Sequence, residues 1–147
     1  MRRVLSIPAV LVCLLGLVVP LHAQGERLSV GVREANVRSG PGDSNPVLWR
    51  VELYHPFEVT ERKGGWCRVK DSDGEYGWIS ASLLVPEKTV ITLKDGAQAR
   101  LGPGPETRVL FRAEKGVAFK VLDRAGAWVK VRHRDGETGW MNESLLW

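Results

Sequence analysis

The residue types that most often carry nucleophilic and acid–base chemistry are scarce in this sequence, which contains two cysteines and three histidines. A cysteine beside a histidine could form an activated thiolate, and Cys67 with His55 is one such pair that the sequence allows. The carboxylates Asp73 and Glu75 flank a glycine and are better explained by turn formation than by acid–base work. His133 has no second histidine at metal-ligand spacing, and no cysteine pair is available for zinc. The sequence therefore predicts a non-catalytic protein with no metal or cofactor.

Aromatic and basic side chains are the other groups that could bind a ligand. The indoles of Trp66 and Trp78 could form an aromatic platform for a peptide or glycan chain. The basic residues Lys130, Arg132 and Arg134 could contact an anionic polymer or an acidic protein surface. The alternatives are that a loop covers the indoles as a second small core, and that the basic residues form a solvated strand edge, where charge blocks unwanted pairing.

An internal repeat determines where these residues lie. Shifting residues 35–85 by 62 positions places them on residues 97–147 without a gap, and nearly half of the positions are then identical. The shared residues include a Gly-Pro-Gly run, two tryptophans and a closing Ser-Leu-Leu. Two units of this size are too few for a solenoid. The sequence therefore predicts two small domains, at residues 28–85 and 89–147.

Each unit carries strand signals and lacks helical periodicity. Residues 57–61 alternate apolar and polar side chains, which is typical of a half-buried strand. The Asp73-Gly74 pair predicts a hairpin, because glycine supplies the positive φ that the turn requires. The run Ser39-Gly40-Pro41-Gly42 predicts a long irregular loop. About five short strands with such turns in each unit indicate an all-β fold with one small barrel per unit.

Strand alternation assigns the tryptophans and the cysteine to opposite faces. Cys67 follows Trp66 directly, so their side chains point to opposite sides of the strand. The second unit has Val129 at the position of Cys67, which predicts that Cys67 is a core residue rather than a nucleophile. By the same alternation Ile79 faces the core, whereas Trp78 faces outward.

Differences between the two units are the best guide to a ligand site. Tyr54 and Tyr76 correspond to Gly116 and Thr138, so this aromatic pair occurs only in the first unit. Residues 26–87 contain 8 basic and 10 acidic residues, whereas residues 88–147 contain 11 and 7. The candidate ligand-binding residues are Tyr54, Tyr76, Trp78, Trp66, Lys130, Arg132 and Arg134.

The motif series resembles a known family. Asn36-Val37-Arg38-Ser39-Gly40-Pro41-Gly42, Trp66-x-x-Val69 and Gly77-Trp78-Ile79 with a closing Leu-Leu are similar to the bacterial SH3-like (SH3b) domain. In the second unit Ala97-Gln98-Ala99 replaces the first part of the series, so its first loop is expected to be seated differently. The resemblance covers nearly all of the chain after residue 23, and it implies an all-β fold of two small SH3-like barrels in tandem. It implies little about the ligand, because these modules accompany many activities.

The first residues predict export. Arg2 and Arg3 precede an apolar run from Val4 to Val19, and Pro20 comes shortly before a cleavage position after Ala23. The sequence therefore predicts a signal peptide at residues 1–23; the alternative is an uncleaved anchor. Cleavage would remove two of the positive charges, and the remaining chain does not have the strongly basic composition that is typical of nucleic-acid binding. No stable membrane insertion is expected after cleavage.

Two functions from different classes remain open at this stage. The first is a cell-envelope binding module, exported to the periplasm or envelope, that recognises peptidoglycan or its peptides. The second is a structural or protein-interaction adaptor in the periplasm that holds an envelope protein or peptide without binding glycan. A variant of the second is docking of the two barrels on each other, with Trp49 or Trp147 at the junction. Trp49 and its counterpart Phe111 lie between apolar residues and are better predicted as core.

Overall fold

A computed structural model describes residues 25–147, and the predicted signal peptide lies outside them. The described chain folds into two antiparallel sheets, one after the other in sequence, which confirms the predicted all-β fold with two small barrels in tandem. The only helical elements in these residues are two short 3₁₀ turns. No helix within this part of the chain is long and apolar enough to cross a membrane.

The first barrel contains seven strands. They are β1 (Glu26–Val30), β2 (Glu34–Arg38), β3 (Val47–Glu52), β4 (Pro56–Lys63), β5 (Trp66–Lys70), β6 (Tyr76–Ser80) and, after a 3₁₀ turn at Ala81–Leu83, β7 (Leu84–Val85). Their spatial order is β3-β2-β6-β5-β4-β1-β7. The β5–β6 hairpin closes at the predicted Asp73-Gly74 pair, where Gly74 has a φ of 84°. The first two residues of the closing Ser-Leu-Leu run lie in the 3₁₀ turn, and Leu84 begins β7.

The second barrel repeats this arrangement. Its strands are β8 (Thr89–Ile91), β9 (Ala97–Arg100), β10 (Val109–Ala113), β11 (Ala118–Ala125), β12 (Trp128–Arg132) and β13 (Thr138–Asn142), followed by a 3₁₀ turn at Glu143–Leu145. Their order is β10-β9-β13-β12-β11-β8. Strand β8 corresponds to β1, and the chain end pairs with it where Trp147 and Ile91 exchange two backbone hydrogen bonds.

Each barrel has its own apolar core, built as strand alternation predicted. Cys67 and Ile79 are fully buried in the first barrel, and Val129 and Met141 take their places in the second. The outward neighbours Trp66 and Trp78 are half-buried. Trp49 and Phe111 pack against the two cores as partly buried residues.

An arginine in each barrel holds the long loop. Arg38 donates a hydrogen bond from Nη1 to the carbonyl oxygen of Asn45 at 2.9 Å, and Arg100 donates equivalently to Thr107 at 2.7 Å. The pairings of β9 with β10 match those of β2 with β3, position for position. The expectation that the loop of the second barrel is seated differently is therefore wrong, because Ala99 occupies the buried position of Val37 without changing the register.

The turn between β3 and β4 and the equivalent turn between β10 and β11 both contain a residue with left-handed backbone conformation. Tyr54 has a φ of 73°, and Gly116 has a φ of 83° at the equivalent position. Glycine adopts this conformation readily, whereas tyrosine does so at a cost. In the first barrel the turn is tied to β1, because the backbone N–H of Tyr54 donates to the carbonyl oxygen of Val30 at 2.9 Å.

Candidate functional site

A cleft beside Trp66 is the best candidate binding site in the first barrel. Its volume is about 320 Å³, and it lies between the start of β2, the long loop and the junction of β5 with the end of β6. The indole of Trp66 forms part of the cleft wall and is only half-buried. The cleft residues are Glu34, Ala35, Asn36, Arg38, Asp43, Arg50, Trp66, Ser80 and Leu83.

Strand geometry explains why these side chains meet. Ala35 and Val37 point into the core, so the alternate residues of β2, among them Asn36, face outward. Trp66 and Ser80 are directly opposite each other in the β5–β6 register, and so they share the outer face as well. The long loop then brings Asp43 to the same cleft.

The cleft carries groups of both charges. Arg50 lies 3.6 Å from Glu34, and both side chains are more than half exposed. Arg38 is already engaged by the loop, so it stabilises the wall of the cleft. A flat aromatic face bordered by an amide, a hydroxyl and charges of both signs can bind a short polar chain by stacking and hydrogen bonding.

The equivalent positions of the second barrel keep the aromatic and polar groups but lose two charges. Trp128, Arg112 and Gln98 stand at the positions of Trp66, Arg50 and Asn36. Gly96 and Pro105 replace Glu34 and Asp43, which are the two carboxylates of the first cleft.

The structure does not assemble the predicted tyrosine pair. Tyr54 is 9% exposed, within the turn after β3, whereas Tyr76 is 44% exposed at the start of β6. Their rings do not pack on each other in the described chain. One face of the Tyr76 ring instead contacts Arg68, whose guanidinium carbon lies 4.5 Å from the ring centroid. Trp78 lies directly opposite Arg68 of β5 in the sheet. It is half-buried, and it is not among the residues that line the cleft.

The predicted basic residues do not form a strand edge. Strand β12, which carries Lys130 and Arg132, has β11 on one side and β13 on the other. The edge-strand explanation is therefore wrong: strand order in a sheet depends on long-range pairing that the local sequence does not reveal. Both side chains are half-buried on the outer face. Arg134 lies in the following turn, and its Nη2 is 3.1 Å from Oε1 of Glu52 in the first barrel.

Cys67 and His55 do not form a catalytic pair. Cys67 is fully buried, and burial raises the pKa of its thiol, which disfavours the thiolate. His55 instead lies near Asp71, just beyond the other end of β5. Four residues of extended chain separate Cys67 from Asp71, a distance of roughly 13 Å.

A second group of ionisable side chains lies in the β12–β13 turn. One potential ligand atom from each of His133, Asp135 and Glu137 falls within 4.8 Å of the others. Asp135 already accepts a hydrogen bond from the backbone N–H of Glu137 at 3.0 Å, and its carboxylate lies 2.9 Å from Nδ1 of His133. These contacts belong to the hairpin turn. In the first barrel Asp71, at the position of His133, holds the equivalent turn by accepting from the N–H groups of Asp73 and Glu75.

Sequence reasoning identified Trp66 but missed the polar residues around it. Asn36, Arg50 and Ser80 were not singled out, because the neighbours of β5 and β6 across the sheet were unknown. The alternation of β2 was a signal that could have identified Asn36, because it places the Asn36 side chain on the outer face of its strand. With the long loop assigned to the outer face of the sheet, Asn36 would have been expected beside Trp66.

The two small barrels, each with a long loop after its second strand, define a tandem of SH3-like domains. The family model described as "Bacterial SH3 domain" matches the chain twice, at residues 31–86 and 94–147. The chain belongs to this family, as a tandem of two such domains.

Two curated relatives carry names from cell-wall enzymology. The chain is 28% identical over 135 residues to the putative N-acetylmuramoyl-L-alanine amidase YrvJ of Bacillus subtilis, covering 84% of this chain and 26% of that protein. It is 40% identical over 52 residues to the probable cell wall amidase LytH of Staphylococcus epidermidis, covering 35% of this chain and 18% of that protein. The chain thus spans about a quarter or less of the length of these relatives. A solved NlpC/P60 family protein from Bacillus cereus aligns over 82% of this chain and 55% of its own, with 14% identity and a TM-score of 0.39.

Proposed function

We propose that this chain is a non-catalytic cell-envelope binding module that recognises peptidoglycan or its peptides through the cleft beside Trp66. The cleft itself carries the proposal, because it combines a half-buried indole with hydrogen-bonding and charged groups in a space of about 320 Å³. The names of the curated relatives, a putative N-acetylmuramoyl-L-alanine amidase and a probable cell wall amidase, support the same ligand class. The matched SH3 domains occupy most of the described residues, and Cys67 is buried with a raised thiol pKa, which supports a binding role.

In this proposal the indole of Trp66 stacks on an apolar face of the ligand, and Asn36 and Ser80 supply hydrogen bonds at its edges. The carboxylates Glu34 and Asp43 attract an ammonium group, and Arg50 attracts a carboxylate. The first cleft therefore suits a peptide that carries both charges. We propose that the chain acts after export, in the periplasm or bound to the envelope.

Co-sedimentation with purified cell-wall sacculi tests this function. The chain from residue 24 should pellet with sacculi at low salt, and Trp66→Ala should abolish most of the binding, since truncation of a tryptophan at the centre of a binding site typically costs about 2 kcal/mol or more. The matched variant Trp128→Ala measures the share of the second barrel. Failure of the unmodified protein to pellet at low salt would exclude the proposal.

A protein-interaction adaptor is the second candidate, and one observation favours it. A β-bulge directly after the long loop exposes a leucine in both barrels: Leu48 is 50% exposed and Leu110 is 41% exposed. Contiguous exposed apolar side chains mark a contact surface for another protein, and Leu48 directly follows Val47, which is 41% exposed. Under this candidate Leu48→Ser would weaken capture of the partner, whereas the sacculus assay would be negative.

A further inference from the structure

The two barrels meet along a cleft beside residues 86–88. Its volume is about 450 Å³, and both barrels contribute to its walls. Across it the guanidinium carbon of Arg27, from β1, lies 4.0 Å from the ring centroid of Trp147 at the end of the second barrel. An arginine over an indole is a favourable cation–π arrangement. The barrels are thus in direct side-chain contact as well as covalently linked.

Two ion pairs join the barrels directly, and they have the same polarity. Nζ of Lys115 lies 2.9 Å from Oδ1 of Asp73, and Nη2 of Arg134 lies 3.1 Å from Oε1 of Glu52. In both pairs the acid belongs to the first barrel and the base to the second. The turn that carries Arg134 also lines a cleft with Gly31 of the first barrel, which places this turn against the end of β1.

A third pair involves the segment between the barrels. Lys120, on β11, pairs with the carboxylate of Glu87. The backbone of Glu87 is held by the first barrel, because the hydroxyl of Ser29 donates to its carbonyl oxygen at 3.1 Å. The short connection is therefore fixed on both sides, by Ser29 through its backbone and by Lys120 through its side chain.

The polarity of these pairs explains the unequal charge of the two halves. Residues 26–87 contain 8 basic and 10 acidic residues, and residues 88–147 contain 11 and 7. We propose that the two barrels form one unit, held at a fixed angle by an electrostatic junction in which Glu52, Asp73 and Glu87 meet Arg134, Lys115 and Lys120. Part of the positive charge of the second barrel thus serves this junction rather than an external anion.

The physical character of the junction makes it sensitive to salt. Its members are between 31% and 59% exposed, and exposed ion pairs are individually weak. Three pairs of one polarity act together at low ionic strength, but the screening length falls from about 10 Å at 0.1 M salt to about 3 Å at 1 M. The junction therefore holds the two barrels in one orientation at low salt and releases them at high salt.

Double electron–electron resonance between two spin labels tests the junction without any ligand, so the result is independent of the proposed function. Labels go on the exposed serines Ser82 and Ser144, which are equivalent in the two barrels, after Cys67→Val removes the native thiol of the chain from residue 24. We expect one narrow distance distribution at low salt. The distribution should broaden about twofold at 1 M salt, when the ion pairs are screened and only the Arg27–Trp147 contact and the short linker restrain the barrels.

Charge reversal supplies the decisive comparison. Glu52→Arg and Arg134→Glu should each broaden the distribution at low salt, and the double reversal should narrow it again. The control is Arg62→Glu, which breaks the 2.8 Å pair with Glu26 inside the first barrel and should leave the distribution narrow. Circular dichroism confirms that each variant is folded. A distribution that is broad in the unmodified protein, or unchanged by both salt and the single reversals, would overturn the proposal.

Discussion

The imidazole of His55 packs on the ring of Phe57, with the ring centroids 4.7 Å apart. In the second barrel the imidazole of His133 lies 5.5 Å from Phe119, which occupies the position of Phe57. The two histidines are not equivalent in the repeat, since one precedes β4 and the other follows β12. Each barrel therefore places an imidazole against the same core phenylalanine, but from a different segment of the chain.

The stability of the first barrel should depend on pH through His55. Burial lowers the pKa of His55 from 6.5 to about 4, against the opposing effect of Asp71. The folded state then binds fewer protons than the unfolded state between these values. Stability is retained above pH 6.5 and decreases as the pH falls toward 4, by up to about 3 kcal/mol. Urea denaturation at pH 7 and pH 4.5 measures the loss.

The control for this prediction is His55→Val, because the second barrel has Val117 at that position. The variant should lose distinctly less stability than the parent between the two pH values, whatever its stability at pH 7. The same loss in both proteins would show that His55 is not responsible.

Gly77→Ala should destabilise the first barrel. A Cβ at Gly77 would overlap the side chain of Val37 on the neighbouring strand, and extra volume in a packed core costs about 1–3 kcal/mol. The second barrel has Ala99 at the position of Val37. Thermal unfolding of the single variant and of Gly77→Ala in a Val37→Ala background should therefore show a smaller cost in the latter. Equal costs would mean that Val37 is not the obstacle.

Cys67 should behave as a core residue and not as a reactive thiol. Because burial raises its pKa and removes it from solvent, a thiol reagent should modify it only after unfolding. Cys67→Val, which introduces the residue found at Val129, should change the unfolding free energy by less than about 1.5 kcal/mol. Rapid modification of the folded protein at neutral pH would contradict this assignment.

The carboxylates of the first cleft should favour a ligand with a free amine. The double variant Glu34→Gln with Asp43→Asn should bind purified sacculi about 3–10-fold more weakly than the parent, the range expected for partly screened charge pairs. Acetylation of the sacculus amines removes the partner charge and should abolish the difference between the two proteins. A difference that survives acetylation would show that the carboxylates act on something other than an ammonium group.

The local pattern of apolar and polar residues predicted the fold and which side chains of each strand point into the core. It did not predict which strands are neighbours in the sheet. The alternation around Cys67 placed Trp66 outward, as observed, because a two-residue period is a property of one strand. The assignment of Arg132 to a strand edge was wrong, and the partners of Trp66 in its cleft were missed, because both depend on strand order. The ion pair of Arg134 with Glu52 depends in addition on how the two barrels meet.

Tyr54 illustrates a further limit of the sequence. Its absence from the second unit suggested an exposed ligand contact, yet the residue is buried in a turn that Gly116 occupies in the other barrel. A residue found in only one copy can therefore reflect local packing. Its ligand-binding role stays a prediction, as do those of Tyr76, Trp78, Lys130, Arg132 and Arg134.

The left-handed turn shared by Tyr54 and Gly116 separates the conformation of the main chain from the identity of the residue. Both barrels adopt this conformation, although it is costly for tyrosine and readily accessible to glycine. The surrounding fold therefore determines the path of the main chain at this turn. For protein engineering, this makes the turn a position at which the residue can be chosen for its side chain, while the backbone conformation is set by the rest of the barrel.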